Sequence, residues 1–167
     1  MVLEKTPQPA MPSVRERSRL YSMTVDAEID AVRFRWKGQP TGEEFRYGAG
    51  QLLKFVRSKA MPGLIVDARS VTAHHPSSMG WLVREWVPSV ASAGVEYVAV
   101  VHEDDLLAKT EMETLKHRIQ RAESVPFFFT TDSLMDAREW IAERDRRTSS
   151  FYHLARYLSS LQPFSFS

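Results

Sequence analysis

The chain contains no cysteine, which removes disulfide scaffolds, thiolate nucleophiles and cysteine-ligated zinc and leaves His, Asp and Glu as its strong metal ligands. Seven glycines occur in 167 residues. They form neither G-x-x-x-x-G-K-[ST] nor G-x-G-x-x-G, the loops that cradle a nucleotide's phosphates. A G-x-S-x-G elbow, the strand-turn-helix nucleophile motif of α/β hydrolases, is also missing. No run approaches eighteen apolar residues, and the opening "MVLEKTPQPAMPSVRER" puts charges and prolines where a secretory signal needs an apolar stretch. These absences predict a soluble, cytoplasmic, non-enzymatic protein with no cofactor, no bound metal and no membrane contact.

Charge is balanced overall, at +1, but unevenly placed. Residues 1–20 hold four basic and two acidic residues, residues 21–143 hold fourteen and eighteen, and residues 144–167 hold four and one. A mildly acidic body between basic ends lacks the clustered Lys and Arg that neutralise a phosphate backbone, so no nucleic acid is expected as a partner.

What is present is a chain 43% hydrophobic and 11% aromatic, enough to bury one sizeable core in a single domain. Residues 1–20, with Pro7, Pro9 and Pro12, read as a basic arm without periodicity. From residue 21 to 145 the pattern is that of an α/β domain. "YSMTVDAEIDAVRFRWKG" gives two strands turning near residues 26–30, and Val32, Phe34 and Trp36 alternate with Arg33, Arg35 and Lys37. They predict an antiparallel hairpin at a sheet edge. Thr41 and Glu44 form a capping box ahead of a helix whose inner face is Phe45, Ala49, Leu52, Leu53 and Val56.

"GLIVD", "VEYVAVVH" and "VPFFFT" read as strands joined by helical crossovers, which makes them parallel. Pro76 suits a first helical position, Gly94 a helix stop, and Pro88 between them predicts a kink or an early end. The expected order is β-β-α-β-α-β-α-β-α, a mixed and mostly parallel sheet. Residues 146–167 add a further amphipathic helix and tail, with Phe151, Leu154, Ala155, Leu158 and Leu161 on one face. That stripe needs cover from its own domain or from a partner subunit, so a homo-oligomer is expected; a membrane surface, suggested by Arg144, Arg146, Arg147 and Arg156 beside it, is the lesser alternative.

The turn at residues 67–80 carries the chemistry-bearing residues. Helix N-terminal N–H groups at Ser77, Ser78 and Met79, placed after a parallel strand, suit an anion or a phosphoserine, or are capped by the Ser77 or Ser78 hydroxyl. His74 and His75, adjacent in an extended segment, point to opposite sides and do not serve one site. Trp81 and Trp86 line either a ligand pocket or a contact face, one of them more buried than the other.

"LIVDARSVTAHHPSSMG" resembles the central segment of STAS domains, whose anti-sigma-factor antagonists read approximately D-L-S-G-V-T-x-I-D-S-S-G-L-G. Asp67, Val71, Thr72, Ser77 and Gly80 match, whereas His75 and Pro76 stand at the family's Asp and its usual phosphorylated Ser. "LIVD", "PSSMGWLVREWVPSVASAGVEYVAVV" and "FFFTTDSLMDAREWI" together resemble the SpoIIAA-like branch of that family, over roughly residues 20–143. The resemblance implies a STAS-like fold, a regulatory or protein-interaction role and a protein partner. The partner surface would hold His74, His75, Ser77, Ser78 and Arg84. The family's likeness to CRAL-TRIO lipid-binding domains implies an alternative, a carrier of a small apolar ligand in a pocket near Trp81 and Trp86. A third reading is a phosphoserine switch at Ser77 or Ser78.

Overall fold

The structure, a computed structural model, describes residues 19–122 and 126–160. Of the basic arm expected over residues 1–20, residues 1–18 lie outside the described residues, as do residues 161–167 of the expected C-terminal helix and tail, Leu161 among them.

Two strands open the fold, β1 (Tyr21–Asp26) and β2 (Ala31–Trp36), paired antiparallel from Tyr21 opposite Trp36 to Asp26 opposite Ala31. The tight turn between them places Asp30 at φ 47°, a left-handed conformation that Asp tolerates better than most residues. Three further strands, β3 (Gly63–Asp67), β4 (Tyr97–Val101) and β5 (Phe127–Thr131), add in chain order. The sheet runs β1-β2-β3-β4-β5, antiparallel at β1 and parallel from β2 onward. The hairpin therefore sits at the edge, as its sequence pattern predicts.

Helix α1 (Gly42–Lys59) starts at the capping box. The Glu44 N–H donates to Thr41 Oγ1 at 3.2 Å, and the Thr41 N–H donates to Glu44 Oε2 at 2.8 Å. The helix stops where Ala60 turns left-handed, at φ 52°. The second crossover is composite: α2 (Pro76–Trp81), a π-helical turn (Leu82–Trp86) and α3 (Val87–Ser92). The π turn is the physical answer to Pro88. A proline removes one N–H from the ladder and crowds the carbonyl four residues back, and widening the preceding turn absorbs both. Gly94 then ends the element at φ 97°, a conformation that glycine adopts without strain.

Helix α4 (Leu106–Gln120) follows β4, capped by the Asp105 side chain accepting from the Ala108 N–H at 2.9 Å. After β5, the sequence pattern suggests a domain helix and then a separate C-terminal helix. The structure instead runs as one 27-residue helix, α5 (Leu134–Ser160). No Gly or Pro falls within it, and the Ala, Glu and Arg residues across the expected break are strong helix formers.

Burial divides the molecule into three layers. Val32, Phe34, Trp36, Leu64, Val98 and Val100 on one sheet face join Leu52, Val56, Val90, Met112, Leu115 and Ile119 from the helices α1 to α4. On the other face Ala31, Ile65, Ala99 and Val101 pack with Ala137 and Ile141 of α5 alone. Helix α5 lies over β3, β4 and β5; on that face Ala31 of β2 and the Asp26 side chain of β1 are covered, whereas Thr24 and Arg35 are exposed and Ser22 and Arg33 half-buried. Strands β3 and β4 are thus covered on both faces, which is why they read as unbroken apolar runs.

Candidate functional site

The turn after β3 is held by long-range hydrogen bonds. Gln39 Oε1 accepts from the Thr72 N–H at 2.7 Å, from the Thr72 hydroxyl at 3.0 Å and from the Ala73 N–H at 3.4 Å, while Gln39 Nε2 donates to the Ala73 carbonyl at 2.8 Å. The Ser70 hydroxyl donates to the Trp36 carbonyl at 2.8 Å. Residues 70–73 are thereby fixed to the segment following β2. Gln39 is the principal clip, and nothing in its local sequence marks it.

The two histidines diverge, as the extended backbone requires. The His74 ring turns inward, with 9% of its side chain exposed; its Nδ1 pairs with Glu111 Oε2 of α4 at 3.2 Å, and its edge meets Phe45 at 5.6 Å. His75 is exposed and caps α2: its Nδ1 accepts from the Ser77 N–H at 3.3 Å and lies 2.7 Å from Ser77 Oγ. An imidazole therefore satisfies a donor that the sequence pattern assigned to a serine hydroxyl.

Ser77 and Ser78 occupy different environments. Ser77 is exposed, whereas Ser78 is 2% exposed and packed near Gly42. A kinase would reach only Ser77 without opening the turn. Arg46 donates to the Ser77 carbonyl at 3.5 Å and lays its guanidinium 5.5 Å from the Trp81 ring centre. Arg84 is exposed beside Gly80. His75, Pro76, Ser77 and Arg84 consequently share accessible surface along the composite helix.

The tryptophans separate as expected into a buried and a half-buried one. Trp86 is buried, donating its indole N–H to the Ala49 carbonyl at 2.7 Å, and Trp81 is half-buried under Arg46. Trp86 helps to line an apolar cavity of about 70 Å³ between the sheet and the helices α1 to α4; Trp81 does not. Outside it, a second cleft of about 360 Å³ opens between Gln39–Gly42 on one side and Ala73–Pro76 and Ser78 on the other. Phe45 and His74 border both spaces and form the wall between them.

The acidic and histidine side chains near the strand ends have their own partners. Arg69 closes on Asp67 through Nε at 2.9 Å and Nη2 at 2.7 Å. Burial pushes the Asp67 carboxyl up, but the Arg69 guanidinium and backbone N–H, with the Arg35 charge, outweigh it and hold the group below the usual carboxylate range. His102 Nδ1 lies 2.8 Å from the Glu103 carbonyl oxygen, and Asp104 pairs with Lys109 at 2.5 Å. Among the described residues no three His, Asp or Glu side chains converge as a metal would require, and no helix is long and apolar enough to cross a membrane.

Comparison of the chain with protein-family models, curated proteins and solved structures returns no match.

Proposed function

We propose that this chain is a non-enzymatic, STAS-like regulatory module that acts through protein–protein contact, and that it self-associates along the outer part of α5. One observation carries the reading. Helix α5 is tied to the sheet as far as Thr148, whose hydroxyl hydrogen-bonds the Tyr97 hydroxyl. Beyond that point Phe151, Leu154 and Leu158 are 68%, 55% and 57% exposed. Their spacing puts them on one face, with the exposed Ala155 between them. The segment continues the same helix as the packed residues Ala137 and Ile141 and projects beyond the sheet.

A second copy of the chain is the occupant that fits. Two such faces laid antiparallel make an isologous contact, each apolar row covering the other. The arginines at the base of the projection are engaged within the chain. Arg144 stacks over Trp140 at 4.9 Å and Phe127 at 5.3 Å, Arg146 donates to the Ala142 carbonyl at 3.2 Å, and Arg147 pairs with Glu143. An antiparallel partner brings its helix tip to that base, so the two sets of arginines do not meet. The exposed strip of His75, Pro76, Ser77 and Arg84 is the surface proposed for a different protein partner.

The carrier reading has less support. A cavity of about 70 Å³ is several-fold smaller than the roughly 300–1,000 Å³ typical of pockets that enclose a drug-sized ligand. A phosphoserine switch would use Ser77, with Arg46 and the α2 N-terminus beside it.

Sedimentation velocity on the full chain and on Leu154→Glu/Leu158→Glu tests self-association. The expected result is an assembly for the wild type and a single chain for the variant, with unchanged helical circular dichroism. A wild type sedimenting as a single chain at 100 µM contradicts the proposal.

A further inference from the structure

The part of the sheet that α5 leaves open is strongly cationic. Arg33 and Arg35 project from β2 on that face, opposite Thr24 and Ser22 of β1, and Arg69 approaches from the turn after β3. Together with Leu134 at the start of α5 they border a groove of about 280 Å³. Its one acidic lining residue, Asp67, is already committed to the two-pronged contact with Arg69. At the far end of β1, Asp26 is likewise committed to Arg138, at 2.8 and 3.2 Å. Arg35 reaches Asp67 only at 3.8 Å with 67% of its side chain exposed. Arg33 is half-buried and, among the described residues, has neither ion pair nor hydrogen bond.

Arg33 and Arg35 therefore have guanidinium donors that no protein acceptor fully uses, side by side on one strand face. We propose that this groove is a binding site for a small polyanion, a molecule carrying two or more phosphate or carboxylate groups. Arginines two residues apart on one strand face stand about 6.5–7 Å apart at the backbone, a separation that one compact anion with several oxygens spans and a single halide does not. Each planar fork accepts two oxygens in parallel. The Ser22 and Thr24 hydroxyls add neutral donors across the hairpin.

The position in the sheet favours the same place. Arg35 and Asp67 lie at the carboxyl ends of parallel strands, where ligands gather in open α/β sheets. The site is on the opposite sheet face from the Trp86 cavity and separate from the α5 projection, and it stands or falls independently of self-association.

Isothermal titration of the full chain with pyrophosphate and with citrate, at fixed ionic strength and with chloride as the reference anion, tests the proposal. Saturable binding of at least one of them is expected. Binding of pyrophosphate alone assigns a phosphate ligand, and binding of citrate alone assigns a carboxylate. Arg33→Gln and Arg35→Gln should each weaken it roughly tenfold or more, the range for a lost charge-assisted hydrogen bond. Arg57→Gln, exposed on α1 and outside the groove, should leave it unchanged. Should Arg33→Gln fail to fold, Arg35→Gln, at an exposed position, carries the comparison. Absence of saturable binding for both anions, or unaltered affinity in the folded arginine variants, overturns the proposal.

Discussion

The Trp86 indole N–H donates to the Ala49 carbonyl at 2.7 Å, joining the π turn of the second crossover to the middle of α1. This bond is buried and crosses 37 residues of sequence, so it fixes the angle between two elements that the backbone alone leaves adjustable. Trp86→Phe removes the donor and also enlarges the adjoining cavity. The expected loss is about 2–3 kcal/mol, from one buried hydrogen bond and the missing ring volume. Urea unfolding measures it, and a loss below about 0.5 kcal/mol would show that the bond is not structural.

Gly48 and Trp36 meet just as closely. A Cβ built on Gly48 would stand 2.4 Å from the Trp36 Cη2 atom, well inside van der Waals contact, and the Trp36 ring is also stacked on Phe45 of the same helix at 5.5 Å between ring centres. Gly48→Ala would gain about 1 kcal/mol of helix propensity but would displace the ring at a cost of typically 1–3 kcal/mol. Overpacking should win, giving a net loss in thermal stability. A raised melting temperature would show that the indole relaxes freely.

Asp67 provides a pH signature. Its carboxyl is held below the usual range in the fold, because the Arg69 contacts and the Arg35 charge outweigh burial. The ionised form is therefore the one the fold prefers. The stabilisation is complete above the unfolded value of about 3.9 and is lost as the pH falls through the lower folded value. Asp67→Asn should be less stable than the wild type by about 1–2 kcal/mol at pH 7, discounted for the 40% exposure of Arg69. That gap should narrow as the pH is lowered below about 4. A gap that stays constant down to pH 2.5 would contradict the assignment.

The Tyr47 hydroxyl is a buried side-chain oxygen with no hydrogen-bond partner among the described residues. Tyr47→Phe deletes an unsatisfied group and keeps the ring, so stability should stay level or rise by up to about 1 kcal/mol. A loss above that amount would reveal a partner for this hydroxyl.

Much of this architecture is legible locally. The alternation in residues 32–37, the Thr41–Glu44 capping box, the apolar runs of β3 and β4 and the Pro88–Gly94 punctuation each depend on neighbours in sequence, and each element appears where that chemistry puts it. The continuity of α5 near residue 146 was less legible: no Gly or Pro interrupts it, but Asp145, Thr148, Ser149 and Ser150 are middling helix formers. The turn is different. Histidine as the α2 cap, Gln39 clipping Thr72 and Ala73, and Glu111 meeting His74 are contacts between segments 30 or more residues apart, or substitutions for the usual capping hydroxyl. Periodicity carries no information about them. The same holds for the cationic groove: Arg33 and Arg35 read as the solvent side of a half-buried strand, and only the coverage of the second face by α5 shows which part of it stays open.

Native mass spectrometry of the full chain purified from its own host, set beside the denatured sample, tests the interaction-module reading most directly. The account predicts a whole multiple of the 19.2 kDa chain, two or more copies, with any excess mass confined to small anions that Arg33→Gln removes. A single-chain mass would contradict self-association through α5. An apolar adduct retained by Arg33→Gln and released on denaturation would establish a carrier in place of an interaction module.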